Sequence, residues 1–264
     1  MNNNIFDLTN KVAIITGGTG WLGFNFAKIL AQYNASIIIT TRDLNKGKEV
    51  LNKLNKSCKT QKHYCLSIDI NDSEEVIKDK FDNIVKIYNK IDILINNAVR
   101  FINKDIFNIN LDEFNTYQKQ NGFYFYLSKL VRDLTIINKS YSSIVNIGSM
   151  YGLVSSYPEI YNYDDVETAS SIAYHTLKGG LINMTKHMAI YWAKDNVRVN
   201  CLSPGAFPKT TIKDSFKKRL EKKIPLGRIG EPNELEGPIL LLVSDASSYM
   251  TGHNLIVDGG WTVQ

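Results

Sequence analysis

The sequence predicts an α/β protein: one open sheet of seven parallel strands with helices on both faces, built as a single domain over 1–264. Short β-branched runs alternate with longer stretches of helical period along nearly the whole chain, the pattern of parallel strands joined by crossover helices. A length of 264 residues and a 44% apolar content suffice for one sizeable core. No composition break, Pro- or Gly-rich linker or internal repeat marks a second domain.

Taken in order, the strands are the runs at 12–16 (Val-Ala-Ile-Ile-Thr), 36–41 (Ser-Ile-Ile-Ile-Thr-Thr), 63–68, 91–96, 143–147, 197–202 and 254–257. Helical period between them places helices at 22–33, 44–56, 73–89, 111–138, 169–194 and 233–244. Right-handed crossovers then put helices on both sides of the sheet. One stretch breaks the rhythm. Residues 150–170 are rich in Tyr and acid and have no clear period, as expected of a functional loop inserted between strand and helix.

Composition excludes several classes. The 31 cations divide into 25 Lys and 6 Arg, scattered along the chain, which speaks against a nucleic-acid reader. Cys58, Cys65 and Cys201 are odd in number, and with His63, His175, His187 and His253 they fit no metal or disulfide spacing. A reducing compartment and no metal are expected. The N-terminus shows no basic and apolar signal segment, and no apolar run approaches the roughly 18 residues of a membrane helix. The expectation is a cytoplasmic protein with no membrane partner.

The first strand runs into Thr16-Gly17-Gly18-Thr19-Gly20-Trp21-Leu22-Gly23, in which Gly18, Gly20 and Gly23 satisfy G-x-G-x-x-G. Alone the match is weak. Here a strand precedes it and an amphipathic helix follows, so bare backbone amides at a helix N-terminus face the place of a pyrophosphate. The second strand ends Thr40-Thr41-Arg42-Asp43, with Thr41 where an NAD site carries its acid. Arg42 follows, and a guanidinium suits a 2′-phosphate, so NADP is the preferred cofactor. A solvated Arg42 beside a helix-capping Asp43 is the plain alternative.

Tyr174 and Lys178 form the only Tyr-x-x-x-Lys pair, and at i, i+4 they share a helix face. About one such pair is expected by chance in this composition, so context decides. The pair opens a long helix after a strand ending Ile147-Gly148-Ser149, near the carboxyl edge where open α/β sheets bind ligands. A nearby ammonium is expected to pull a phenol's pKa down towards neutrality. Tyr174 then serves as general acid or base, Lys178 also holds the nicotinamide ribose, and Ser149 holds the substrate oxygen. An amphipathic Tyr and a snorkelling Lys on a surface helix is the structural alternative.

In this order the motifs resemble the short-chain dehydrogenase/reductase family, in its compact branch of about 250 residues, over 11–261. The resemblance implies a three-layer Rossmann fold. Gly17, Thr19, Gly20, Trp21, Leu22 and Gly23 correspond to its glycine turn, Thr41 and Arg42 to the adenosine side, and Asp69-Ile70 to its adenine contact. Asn96-Asn97-Ala98 is similar to the motif closing its fourth strand, and Ser203-Pro204-Gly205 through Phe207 to its nicotinamide-side loop. The resemblance implies an Asn-Ser-Tyr-Lys tetrad at Asn121, Ser149, Tyr174 and Lys178, with Asn121 linking Lys178 to a water relay. It also implies a homodimer or homotetramer built on the long helices from 111 and 169.

Departures accompany the matches. Trp21 and Val99 stand where the compact branch has Gly, and Ser149 precedes Tyr174 by 25 residues rather than about a dozen. The extra residues are expected to bulge beside the substrate. There Tyr151, Tyr157, Tyr161 and Tyr163 offer rings and hydroxyls, while Glu159, Asp164, Asp165 and Glu167 offer acceptors. That chemistry suits a sugar-like substrate, as in family members serving bacterial surface-sugar biosynthesis. Two other functions compete. One is reduction of a 3-oxoacyl thioester, for which Lys217, Lys218, Arg219, Lys222 and Lys223 would form a carrier patch. The other is a non-catalytic dinucleotide sensor or scaffold, supported by Trp21 and Val99.

Overall fold

The computed structural model describes residues 4–58, 62–161 and 170–264. Seven strands form one sheet: β1 (Val12–Ile15), β2 (Ser36–Thr41), β3 (Tyr64–Ser67), β4 (Ile93–Asn96), β5 (Ser142–Ile147), β6 (Val197–Pro204) and β7 (Asn254–Val257). All pairs are parallel, in the order β3-β2-β1-β4-β5-β6-β7. The order reverses between β1 and β4, so a crevice opens beyond their carboxyl ends, where such sheets take ligands. The expected fold class is the one observed.

The helices are α1 (Trp21–Gln32), α2 (Leu44–Ser57), α3 (Glu74–Tyr88), α4 (Leu111–Ile137), α5 (Pro158–Tyr161), α6 (Ile172–Trp192), α7 (Asp214–Glu221) and α8 (Glu236–Val243). Local chemistry sets their ends. Asp43 accepts from the Asn45 and Lys46 amides to cap α2, and Asn110 with Glu113 forms a capping box on α4. None of the described helices is long and apolar enough to cross a membrane.

Strand residues alternate between two cores, as the pleat requires. Ile14, Leu94 and Ile144 join Tyr117, Leu127 and Leu177 on one face. On the other face, Ala13, Ile15, Ile95 and Val145 join Phe26, Leu30 and Ile239. A third cluster, centred on Ile160, Phe216 and Trp261, lies beneath the inserted segment.

Several boundaries differ from expectation for identifiable reasons. β3 starts at Tyr64, because the ring Nδ1 of His63, not its backbone, accepts the Ile37 amide at 3.1 Å. The carboxylate of Asp92 likewise accepts the Val12 amide at 2.8 Å, and β4 starts one residue later. The helix expected over 233–244 is a 3₁₀ turn, Pro232–Leu235, followed by α8. The helix expected over 169–194 runs from Ile172 to Trp192, and residue 169 lies outside the described residues.

Candidate active site

The glycine turn closes on itself. Gly17 has φ +64°, and a side chain there would meet Ala98 Cα at 2.9 Å. A Cβ at Gly23 would lie 2.4 Å from the Gly17 carbonyl oxygen, so the turn and the first helical turn pack backbone to backbone. Asn97 secures the arrangement from β4, donating through Nδ2 to the Thr16 carbonyl at 2.9 Å, while Thr16 Oγ1 accepts the Asn97 and Ala98 amides at 2.8 and 2.9 Å. Gly20 caps α1 with no side chain to offer its amides, and no acid occupies the first turn. The positive helix end is therefore open to an anion.

A cleft of about 1050 Å³ extends from this turn across the carboxyl edge of the sheet. Gly17, Thr19, Gly20, Trp21, Leu22, Thr41, Arg42, Asp69, Ile70, Asn97, Ala98 and Phe207 all line it, as the sequence expects of a dinucleotide site. Trp21 and Val99 form part of the wall without closing the cleft, and the indole N–H of Trp21 is buried without a partner. Gly23 acts through packing, and Gly205 lines a smaller neighbouring cavity. Pro204 and Lys178 line neither cavity.

At the adenosine end, Thr19 and Thr41 share a hydrogen bond of 3.1 Å that joins the glycine turn to β2. Arg42 is exposed and lies 3.8 Å from Asp69. Asp43 lines the cleft too, but its Oδ1 is taken by the α2 amides of Asn45 and Lys46. Lys46 also lines this end of the cleft, a second cation that the sequence reading missed.

The cavity beside the cleft, about 320 Å³, shares Phe101, Phe207, Pro208 and Phe216 with it. Ser149 and Tyr174 line this cavity together, although 25 residues separate them in sequence, and the Ser149 hydroxyl acts to lower the Tyr174 phenol's pKa. Ser149 lies two residues beyond β5 and caps the 3₁₀ turn Met150–Gly152, accepting the Tyr151 amide at 3.1 Å. Tyr174 sits in the first turn of α6, with Lys178 one turn on and its Nζ 5.6 Å from the Tyr174 ring centre. Lys178 is buried and donates to the Ile147 carbonyl at 2.6 Å, which leaves two of its three N–H groups for other partners. Asn121 on α4 donates to the Leu177 carbonyl at 3.1 Å, and its Oδ1 is buried without a partner.

Electrostatics correct one expectation. The protein packed around Tyr174 pushes its phenol up to about 12, with the Ser149 hydroxyl acting the other way, rather than down towards neutrality. The same desolvation pushes Lys178 down to about 8. Burial outweighs the ammonium that the i, i+4 spacing supplies.

The inserted segment is likewise less uniform than its composition implies. Tyr151 and Tyr161 line the smaller cavity, but Tyr157 packs on Trp261 with ring centres 5.5 Å apart, and Lys223 Nζ lies over the Tyr157 ring at 4.2 Å from its centre. Glu159 pairs with Lys223 at 2.9 Å and does not line the cavity. Tyr163, Asp164, Asp165 and Glu167 lie outside the described residues. Of the basic run, Lys217 is 3.8 Å from Glu221 and Arg219 donates to the Ile160 carbonyl, so α7 binds the insert as well as facing solvent.

A family model described as enoyl-(acyl carrier protein) reductase matches residues 20–262. The chain belongs to the short-chain dehydrogenase/reductase family. It is an oxidoreductase acting on CH–OH groups, in a family that binds NAD(P). D-arabinitol 2-dehydrogenase of Scheffersomyces stipitis is 34% identical over 97% of this chain and 95% of its own length. A 3-oxoacyl-[acyl-carrier-protein] reductase of Chlamydia trachomatis is 30% identical, covering 96% and 98%. The solved structure of a gluconate 5-dehydrogenase from Burkholderia cenocepacia, in complex with NADP and tartrate, superposes with TM-score 0.87 at 25% identity, covering 99% of this chain and 98% of that one.

Proposed function

We propose that the protein interconverts a carbonyl and a secondary alcohol on a small, sugar-like substrate, with NADP as its cofactor. The observation that carries this reading is the convergence of Ser149 and Tyr174 on the wall of one small cavity that shares Phe101, Phe207, Pro208 and Phe216 with the dinucleotide cleft. Reduction needs a hydride at the carbonyl carbon, which NADPH supplies when bound, and a proton at the oxygen. Tyr174 delivers that proton from its hydroxyl, and Ser149 donates a hydrogen bond to the same oxygen. Lys178, with its Nζ 5.6 Å from the Tyr174 ring centre, stabilises the phenolate left behind, and it has N–H groups left beyond the Ile147 carbonyl to offer the nicotinamide ribose. The unpartnered Asn121 Oδ1 suits a water linking Lys178 to solvent, through which Tyr174 regains its proton. In alcohol oxidation the proton runs the other way.

Support for NADP comes from charge. Arg42 and Lys46 line the adenosine end, while Asp43, the acid that could have taken ribose hydroxyls, is engaged as a helix cap. Arg42→Ala is expected to weaken NADPH binding about tenfold or more and to leave NADH binding unchanged, as calorimetric titration would show. Equal losses for both nucleotides would remove Arg42 from phosphate recognition.

The cavity volume supports a compact substrate, since about 320 Å³ is at the lower end for small-molecule sites. A 3-oxoacyl thioester is the second reading, favoured by the apolar wall of Phe101, Met150, Phe207 and Leu220. Steady-state assays with neutral ketoses and with a short 3-oxoacyl thioester separate them. A higher kcat/KM for the thioester would reverse the order. A homodimer or homotetramer is supported by the exposed Phe125, Ile136 and Ile137 on α4 and Ile190 and Tyr191 on α6. Sedimentation at micromolar protein is expected to show no monomer.

A further inference from the structure

We propose that the hydroxyl pair Tyr151–Tyr161 is the specificity element of this enzyme, recognising a hydroxyl of a neutral polyol or ketose, and that the cavity rejects sugar acids and sugar phosphates. This rests on the carbonyl–alcohol activity proposed above and names the substrate class of the same site.

The two phenol oxygens are 2.7 Å apart and both residues line the smaller cavity. Their rings are held in place. Tyr151 stacks on His175 with ring centres 4.7 Å apart and planes 19° apart, and meets Trp261 edge-on at 6.2 Å. His175 is fixed in turn by Ser170, whose Oγ lies 3.0 Å from Nε2 and donates to Ser156 Oγ at 2.6 Å. Tyr161 sits edge-on to Phe216 at 5.6 Å. Rings locked from several sides lose little freedom on binding, which is what a specificity contact requires.

The pair has the hydrogen-bonding capacity of one alcohol. Two hydroxyls bring two protons; one is engaged between them, leaving one O–H donor together with oxygen lone pairs. A substrate hydroxyl, itself donor and acceptor, satisfies both. Burial pushes both phenols up, so the pair stays neutral through the physiological range and offers no charge to an ion.

Charge argues the same way from the rest of the wall. Every described residue lining this cavity is uncharged: hydroxyls from Ser149, Ser170, Ser171 and the tyrosines, and otherwise apolar surface. Two bases of the neighbouring α7 region are engaged elsewhere, Arg219 with the Ile160 carbonyl and Lys223 with Glu159, while Arg100, Lys209 and Lys213 line the adjoining dinucleotide cleft and not this cavity. A carboxylate or phosphate entering here would lose its hydration with no counter-charge in return.

The test compares kcat/KM at fixed NADPH for D-ribulose and D-fructose, for 5-keto-D-gluconate, and for 2-pentanone, which lacks hydroxyls. The expected result is a preference of at least about tenfold for the neutral ketoses over the keto acid. In Tyr151→Phe and Tyr161→Phe the ratio of ketose to 2-pentanone is expected to fall about tenfold, the scale of one neutral hydrogen bond. Keto-acid turnover equal to ketose turnover, or a ratio unchanged in both variants, overturns the proposal while leaving the activity standing. Failure to reduce any of these carbonyls overturns the activity itself, and the proposal with it.

Discussion

Tyr174→Phe is expected to lower kcat between about a hundredfold and ten-thousandfold, the range spanned by a positioned general acid, with NADPH affinity kept within about twofold. The substitution removes one oxygen. It leaves the edge-on contact with Phe101 at 5.9 Å and the packing of α6 intact, so a loss of turnover reports chemistry rather than unfolding. The phenol's pKa of about 12 sets the direction of the pH dependence. In reduction the protonated phenol is the active form, so that step is insensitive to Tyr174 titration up to about that pH. Alcohol oxidation needs the phenolate, and its rate is expected to rise as pH climbs. Residual activity near the parent level would remove Tyr174 from the proton path.

Lys178→Met is expected to abolish turnover and yet to raise thermal stability. Burial moves this amine from 10.5 to about 8, which corresponds to about 3 kcal/mol held against the charged form. Between those two values the unfolded chain binds more protons than the folded one, so stability contributed by this residue rises with pH through that window and is lowest below pH 8. A methionine of similar volume removes the buried charge. It leaves the Ile147 carbonyl without its 2.6 Å donor, a loss of about 1 kcal/mol, so the net gain at neutral pH is about 2 kcal/mol and Tm rises by about 4 °C or more. Calorimetric unfolding at neutral pH checks this. A lower Tm would mean that the buried ammonium stabilises the fold, contrary to its desolvation.

Much of this architecture is legible in the sequence because parallel strands buried on both faces read as unbroken β-branched runs. The glycine turn is legible for a steric reason: only residues without Cβ tolerate 2.4 Å from Gly23 to the Gly17 carbonyl. Ser149 is legible because it follows directly on the carboxyl end of a strand, even though the insertion alters its distance from Tyr174. Other features had no one-dimensional signature. Lys46 and His175 acquire meaning only beside Arg42 and under Tyr151. The insert's aromatic residues have no period, so Tyr157 and Glu159 read as ligand-facing, whereas contacts with Trp261 and Lys223 claim them. The pKa of Tyr174 was misjudged because spacing reveals a neighbouring ammonium and conceals how much protein surrounds the phenol.

Deuterium transfer from NADPH labelled at the nicotinamide C4 to a neutral ketose, read by mass spectrometry of the product polyol, tests hydride transfer coupled to Tyr174 most directly. One deuterium on the carbinol carbon with the wild-type protein, and transfer slowed at least about a hundredfold with Tyr174→Phe, is the predicted result. Transfer by Tyr174→Phe at the parent rate, or no transfer by the wild-type protein, would contradict it.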